Sequence, residues 1–479
     1  MAFKKYKMRK LVFTAITFAL VLGSCSNEQL EQINTSPNAA PDASLELLVN
    51  GALVGTIQPM SGENARLAGM WAQQFTGEDR QYSGFQSYTI TQADFSWSGY
   101  YYSMSQQSEL AIEKAVAAGN DFYLGITHVV KGMAFGTVAA LFEEAPFTQA
   151  NDFENFPNPT FDDQLTIYTG VQNLLDDAIE VLERNQGTGD FASKDFFFSG
   201  DPASWIRVAH TLKARYYLHT RDYTSALAET EFGIMLPEND MIAPHAGNYN
   251  LDMNLYFSFG IFDRPGYMTA TNAYLPTILD SVGQTADGVQ TGLKNNAKTD
   301  ESARFAFYYT GYGDQNKDGK VDRAYDLNYG GAYGRAASFP MVTAVENLLI
   351  MAECYWQGGD DDKALEKLNE VRAIHATTFG TTYDAYVDTD FDAGGIADYG
   401  RGTRSDNLYF EIILEKYASL TGQIEVFNDL RRTDNLIGLT PIGTATDIPQ
   451  RYLTPQDEVD GNPNAILSGT LFEKTTVNQ

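Results

Sequence analysis

Cys25 and Cys354 are the only cysteines in this chain of 479 residues, so no disulfide framework staples it together. Histidine is nearly as scarce. His128, His210, His219, His245 and His375 show no H-E-x-x-H or paired-ligand spacing, which removes the common zinc-hydrolase patterns. No G-x-S-x-G elbow is present to carry a nucleophilic serine. Positive charge is also short: 33 Lys and Arg stand against 62 Asp and Glu, a formal charge of −29. Such a chain is repelled by phosphates and anionic head groups, which excludes nucleic acid as a partner. Long apolar runs are missing too. The one marked run, residues 11–22, falls short of the ~20 residues a membrane-spanning helix needs.

What that run has is company. Lys4, Lys5, Lys7, Arg9 and Lys10 precede it, and Gly23, Ser24 and Cys25 follow it. A basic n-region, an apolar h-region and small residues at a cut site are the parts of an export signal. Leu22-Gly23-Ser24-Cys25 resembles the lipobox of bacterial lipoproteins. That resemblance implies that residues 1–24 are a signal peptide, that the chain is cut before Cys25, and that the Cys25 thiol is diacylated. Several acyl chains hold a protein on a bilayer far more firmly than one. Residues 25–42 are polar, contain Pro37 and Pro41, and read as a flexible tether.

The body, residues 43–479, is rich in aromatics at 13% and carries helical periodicity in several places. Phe122, Ile126, Val129, Met133, Ala140 and Leu141 recur near 3.6 spacing, as do Tyr168, Val171, Leu175, Ala178 and Leu182. Asp201 followed by Pro202 reads as an N-cap and first helical residue. Residues 237–340, by contrast, are rich in Gly, Asn, Asp and Tyr and read as a loop-rich excursion, where binding surfaces tend to sit. An internal echo links two segments at an offset of 138 positions. Ala214, Tyr217, Asp222, Ala226 and Leu227 match Ala352, Tyr355, Asp360, Ala364 and Leu365. Each copy reads as a helix, a tight polar turn and a second helix, the layout of a tetratricopeptide-type hairpin. Cys354 lies in the apolar part of the second copy and reads as a small core residue.

Several motifs resemble the SusD/RagB family of nutrient-binding outer-membrane lipoproteins. EQINTSPNAAP (31–41) is similar to the family's N-terminal Asn-x-x-Pro-Asn segment. FPMVTAVENLLIMAECYWQGGDDDKALEKLNEVRA (339–373) resembles its Pro-Met-x-Thr hairpin with a Gly-Asp turn. ILEKYASLTGQIEVFNDLRRTD (413–434) resembles its C-terminal helix pair, with Phe427 where Trp is common. IPQRYLTPQDEVDGNPN resembles its closing segment. The resemblance implies a mainly α fold, with tetratricopeptide-like hairpins supporting an irregular ligand-binding face. It further implies an outer-membrane position beside a SusC-like TonB-dependent transporter, with capture of an oligosaccharide, or of a peptide in some members. It transfers no ligand-binding residue by motif.

Candidate site residues therefore come from local chemistry. Aromatic density is highest over residues 71–104, where Gly77 and Gly84 break the periodicity and imply a loop between Phe75 and Trp97. Flat rings cover the C–H faces of sugars while polar neighbours fix the hydroxyls. Tyr82, Phe85, Trp97 and Tyr101, with Asp79 and Arg80, are the candidates there; Asp263, Arg264 and Tyr267 form a second cluster that could face the first. In GDQNKDGKVDRAYD, Asp314, Asn316, Asp318, the Lys320 carbonyl and Asp322 follow the spacing of a calcium loop, although Tyr325 stands where a bidentate Glu is expected. A structural Ca2+ is the only cofactor implied. The reading is a surface-exposed, non-enzymatic binding protein. A lipid-anchored glycan hydrolase is the alternative, because abundant carboxylates leave a glycosidase pair open.

Overall fold

Small residues set the spacing of the central helices. The Asp121–Phe142 helix buries Phe122, Ile126, Val129, Met133, Ala140 and Leu141 in the stripe read from the sequence. Its Gly125 lies so close to the neighbouring Gln164–Arg184 helix that a Cβ would stand 2.4 Å from Leu182 Cγ. Gly136 meets the ring of Tyr216 in the same way. Most of this helix is inside the body, so its apolar length serves the core. Each large side chain buried along it contributes roughly 1.5–3 kcal/mol.

The computed structural model describes residues 43–184, 194–249, 251–284, 288–311 and 324–479. Within it, Leu45–Gln479 form one unit that is mainly helical. Consecutive helices pack on one another: Gln107–Ala118 on Asp121–Phe142, then Gln164–Arg184, Pro202–His219 and Tyr223–Thr230. Ala344–Gln357 packs on Asp361–Phe379 and on Arg404–Ser419. Asp201 caps its helix through the Ala203 and Ser204 amides, with Pro202 at the start.

The 138-residue echo is visible in the backbone. Arg221 and Gly359, at equivalent positions, adopt φ of +59° and +79°. The amides of Arg221 and Asp222 bond the carbonyls of Leu218 and Tyr217, and those of Gly359 and Asp360 bond Trp356 and Tyr355. Asp222 and Asp360 then cap the second helix through the Ser225 and Lys363 amides. The two hairpins share a core of Ala214, Leu218, Ala226, Ile350 and Cys354. Burial pushes the Cys354 thiol well above its ordinary range, as expected of a small core residue.

Charge holds the rest. Arg215 bonds Glu346 at 2.6 and 2.7 Å, and Arg432 pairs with Glu353 and Asp429. Lys294 and Arg304, from the segment between residues 237 and 340, reach into the body. There Lys294 meets Glu411 and Glu415, and Arg304 meets Glu301 and Glu415. All five side chains are fully buried. Removing one member of such a set leaves a buried charge uncompensated, at a cost of about 3–5 kcal/mol. The motif residues Glu346, Glu353, Asp429, Arg431 and Arg432 are thus framework: all are buried and bonded to other parts of the chain, while Asn428 is buried and bonds Glu425 and Arg431 of its own helix.

One expectation about local structure is corrected. Residues between Phe75 and Trp97 are not a plain loop; Arg80–Gln86 is helical, with Asp79 as N-cap, and Gln92–Asp94 is a 3-10 turn. Gly84 masks the helical period, while Tyr82 and Phe85, three positions apart, form its buried face.

Candidate functional site

The two aromatic clusters do meet. Thr76–Gly77 pairs antiparallel with Met268–Thr269, and the Glu78 amide bonds the Tyr267 carbonyl at 2.8 Å. This brings Tyr82 within 4.8 Å of Phe259 and 6.1 Å of Tyr267, ring centre to ring centre. Arg66 donates to the Tyr82 hydroxyl at 3.0 Å and lies 4.1 Å over Phe259. Burial raises the Tyr82 pKa despite that cation. Tyr82 is 1% exposed and Phe85 5%. Their faces are spent on packing, so neither offers a platform for a sugar as the loop reading expected. Around them Asp79, Arg80, Asp263 and Arg264 are exposed, with Arg80 and Arg264 both near the Tyr267 ring, at 5.7 and 5.9 Å. Tyr267 itself is buried.

Trp97 and Tyr101 stand elsewhere. A cleft of about 320 Å³ lies between residues 96–102, 146–159 and 455–462. That is within the range of small-molecule sites, roughly 300–1,000 Å³. Trp97 is mostly buried against Phe142 and Phe161, and Tyr101 packs on it at 5.5 Å. The Tyr101 hydroxyl donates to the Pro146 carbonyl at 2.6 Å. Burial, with Glu458 and Asp162 nearby, drives its pKa well up, so it stays a neutral donor. Residues 99–106 form a π-helix, a wider turn frequent at functional sites, which presents Tyr102 beside this pair.

The walls are fastened from below. Asp162 accepts from the Phe147 and Thr148 amides at 3.0 and 2.8 Å, which sets where the 146–159 segment leaves the core. Asn462 donates to the Pro159 carbonyl and Asn464 to that of Asn158, at 2.8 and 2.7 Å, tying the C-terminal wall to it. Tyr102 and Phe153, 61% and 53% exposed, offer uncovered rings at the rim. Asn151, Asp457 and Glu458 supply polar groups among them.

Tyr102, Phe153, Asn151, Asp457 and Glu458 were not among the residues singled out above. The stretch PFTQANDFENFPNPTF (146–161) held the available signal: Phe, Pro and Asn crowded between two helical segments. Nothing in the sequence joined it to residues 455–462. The calcium-loop candidates Asp314, Asn316, Asp318, Lys320 and Asp322 lie outside the described residues, as does Cys25. Among the described residues, no group of three or more His, Cys, Asp and Glu side chains is placed to hold a metal ion.

Solved structures share this fold. A SusD/RagB family protein from Bacteroides thetaiotaomicron superposes with a TM-score of 0.69 at 20% identity, over 91% of this chain and 99% of its own. A SusD homologue from Parabacteroides distasonis gives 0.66 at 16% identity, over 91% and 97%. A chitin-binding SusD homologue from Flavobacterium johnsoniae gives 0.65 at 15%, over 90% and 98%. At these identities the likeness speaks to the fold alone. No curated protein matches the sequence. Residues 37–455 match the SusD-like_2 family, described as starch-binding and associating with the outer membrane. With its signature residues forming the buried framework and its whole helical body shared with those structures, the chain belongs to the SusD-like family.

Proposed function

We propose that this protein captures a nutrient oligosaccharide in the cleft floored by Trp97 and Tyr101, without turning it over. The observation that carries this reading is the pair of uncovered rings, Tyr102 and Phe153, beside that floor. Such rings cover the apolar faces of sugars, while Asn151, Asp457 and Glu458 bond hydroxyls. Asp79, Arg80, Asp263, Arg264 and Tyr267 line no part of the cleft, and in this proposal they serve only a ligand that extends past it. The protein stands on the outer membrane through acylated Cys25 and hands its cargo to a SusC-like TonB-dependent transporter. Family association with the outer membrane supports that placement. A Ca2+ in the Asp314 to Asp322 loop plays a structural part.

An array of glycans and peptides probed with the chain from residue 43 onward tests the core of this. Saturable oligosaccharide binding with no product is the expected result. Product release would favour the hydrolase, and binding of peptides alone would favour a peptide carrier. Cys25→Ala should free the full chain from membranes, and the wild type should co-purify a β-barrel transporter.

A further inference from the structure

Every ionisable group on the cleft wall is a carboxyl or a phenol. Beside Asp457 and Glu458, no Lys, Arg or His lines it among the described residues. A smaller depression of about 60 Å³ adjoins it, sharing Ser96 and Ser98, and is lined by Glu63, Asp94, Gln58 and Asn64. It too has no basic residue. Two of the four carboxylates have other duties: Asp94 accepts from the Thr91 amide at 2.8 Å, and Glu458 from Asn462 at 2.7 Å. Glu63 and Asp457 are exposed, and among the described residues neither has an ion-pair partner within 4 Å. The cations of cluster Asp79 to Tyr267, by contrast, line neither cavity.

A ligand seated here approaches unneutralised negative charge within a Debye length, about 8 Å at physiological ionic strength. Excess acid across the chain adds to the field rather than opposing it. We infer that this site, read as the glycan site above, excludes anionic chains such as uronates and takes neutral ones. Sugars bearing a free, protonated amine gain over their N-acetylated forms. Aromatic stacking supplies the affinity and the carboxylates supply the discrimination.

The test is titration calorimetry with length-matched probes. These are α-1,4 and β-1,4 glucose oligomers with their C6-oxidised counterparts, and β-1,4 N-acetylglucosamine oligomers with their deacetylated counterparts. At least one neutral oligomer should bind, and its oxidised counterpart about tenfold or more weaker. The deacetylated oligomer should bind several-fold tighter than its parent at low salt, with the gap closing as salt rises. Asp457→Asn with Glu63→Gln should shrink both ratios. An oxidised oligomer as tight as its parent, or ratios unmoved by those substitutions, overturns the charge selection while leaving the glycan reading in place. If no oligomer binds, the glycan reading fails and the selection falls with it.

Discussion

Residues 71–104 build two aromatic regions with opposite fates. Around Tyr82 every face is covered: Phe85 and Phe259 lie against the ring, Tyr267 meets its edge, and Arg66 holds the hydroxyl. Around Trp97 the packing stops one residue short. Trp97 and Tyr101 are floored by Phe142, Phe161 and Phe135, but Tyr102 and Phe153, which line the same cleft, are left in solvent. The composition of the two regions is alike. What differs is what arrives from far along the chain. The 258–268 segment is drawn over Tyr82 by a strand pair, whereas Asn462 and Asn464 bond the carbonyls of Pro159 and Asn158 and Tyr102 stays uncovered. Aromatic density marks where rings are, and only tertiary pairing decides whether their faces are free.

The two regions should therefore break in different ways: covered groups through stability, open ones through affinity. The largest effect is expected in the buried charge set. Arg304→Met leaves Glu301 and Glu415 without their shared cation and should lower the unfolding free energy by about 3–5 kcal/mol in denaturant titration. Tyr82→Ala should follow closely at roughly 3 kcal/mol, since it opens a cavity and strands Arg66, while ligand affinity of the folded fraction stays as in wild type. Affinity lost in proportion to stability would erase the distinction between the two regions.

pH separates the framework further. Burial pushes the Asp429 carboxyl up, but Lys416 and Arg432 outweigh it and hold it below the ordinary range. Glu425, beside Arg215 and His219, is likewise depressed. These groups stabilise the fold above the unfolded carboxylate range, about pH 4, and that contribution is lost as pH falls through and below it. Melting temperature measured down to pH 3 should drop steeply only there. A smaller effect of opposite sign comes from Asp240, whose pKa burial raises to about 7 while it accepts from the Ala344 amide. Its folded value lies above its unfolded one, so its contribution is present at low pH and declines as pH rises from about 4 through 7. Asp240→Asn, which keeps the acceptor, should raise the melting temperature more at pH 8 than at pH 5.

Much of the frame is legible in the sequence. Asp201-Pro202 announced a helix start, and the Asp222 and Asp360 turns repeated to the hydrogen bond, because caps and turns are local chemistry. The buried ion pairs were not legible. No local pattern joins Glu411, Glu415 or Arg432 to Lys294, Arg304 and Glu353, which meet them only in the fold. The site was half legible. Ring density pointed to Trp97 and Tyr101, which line the candidate cleft, but not to the helical, buried setting of Tyr82 and Phe85, because Gly84 hid a helix. The rim residues Phe153 and Asp457 belong to segments separated by some three hundred positions, which no local pattern joins.

The claim that the cleft is the binding site rests most directly on one titration. Tyr102→Ala and Phe153→Ala, combined, should leave the melting temperature nearly unchanged, since both rings are exposed. The same variant should bind the oligosaccharide selected by the array about tenfold or more weakly, with Tyr82→Ala as the covered control. Undiminished affinity in the double variant, with a loss in the control instead, would place the ligand at the Tyr82 cluster and contradict the account.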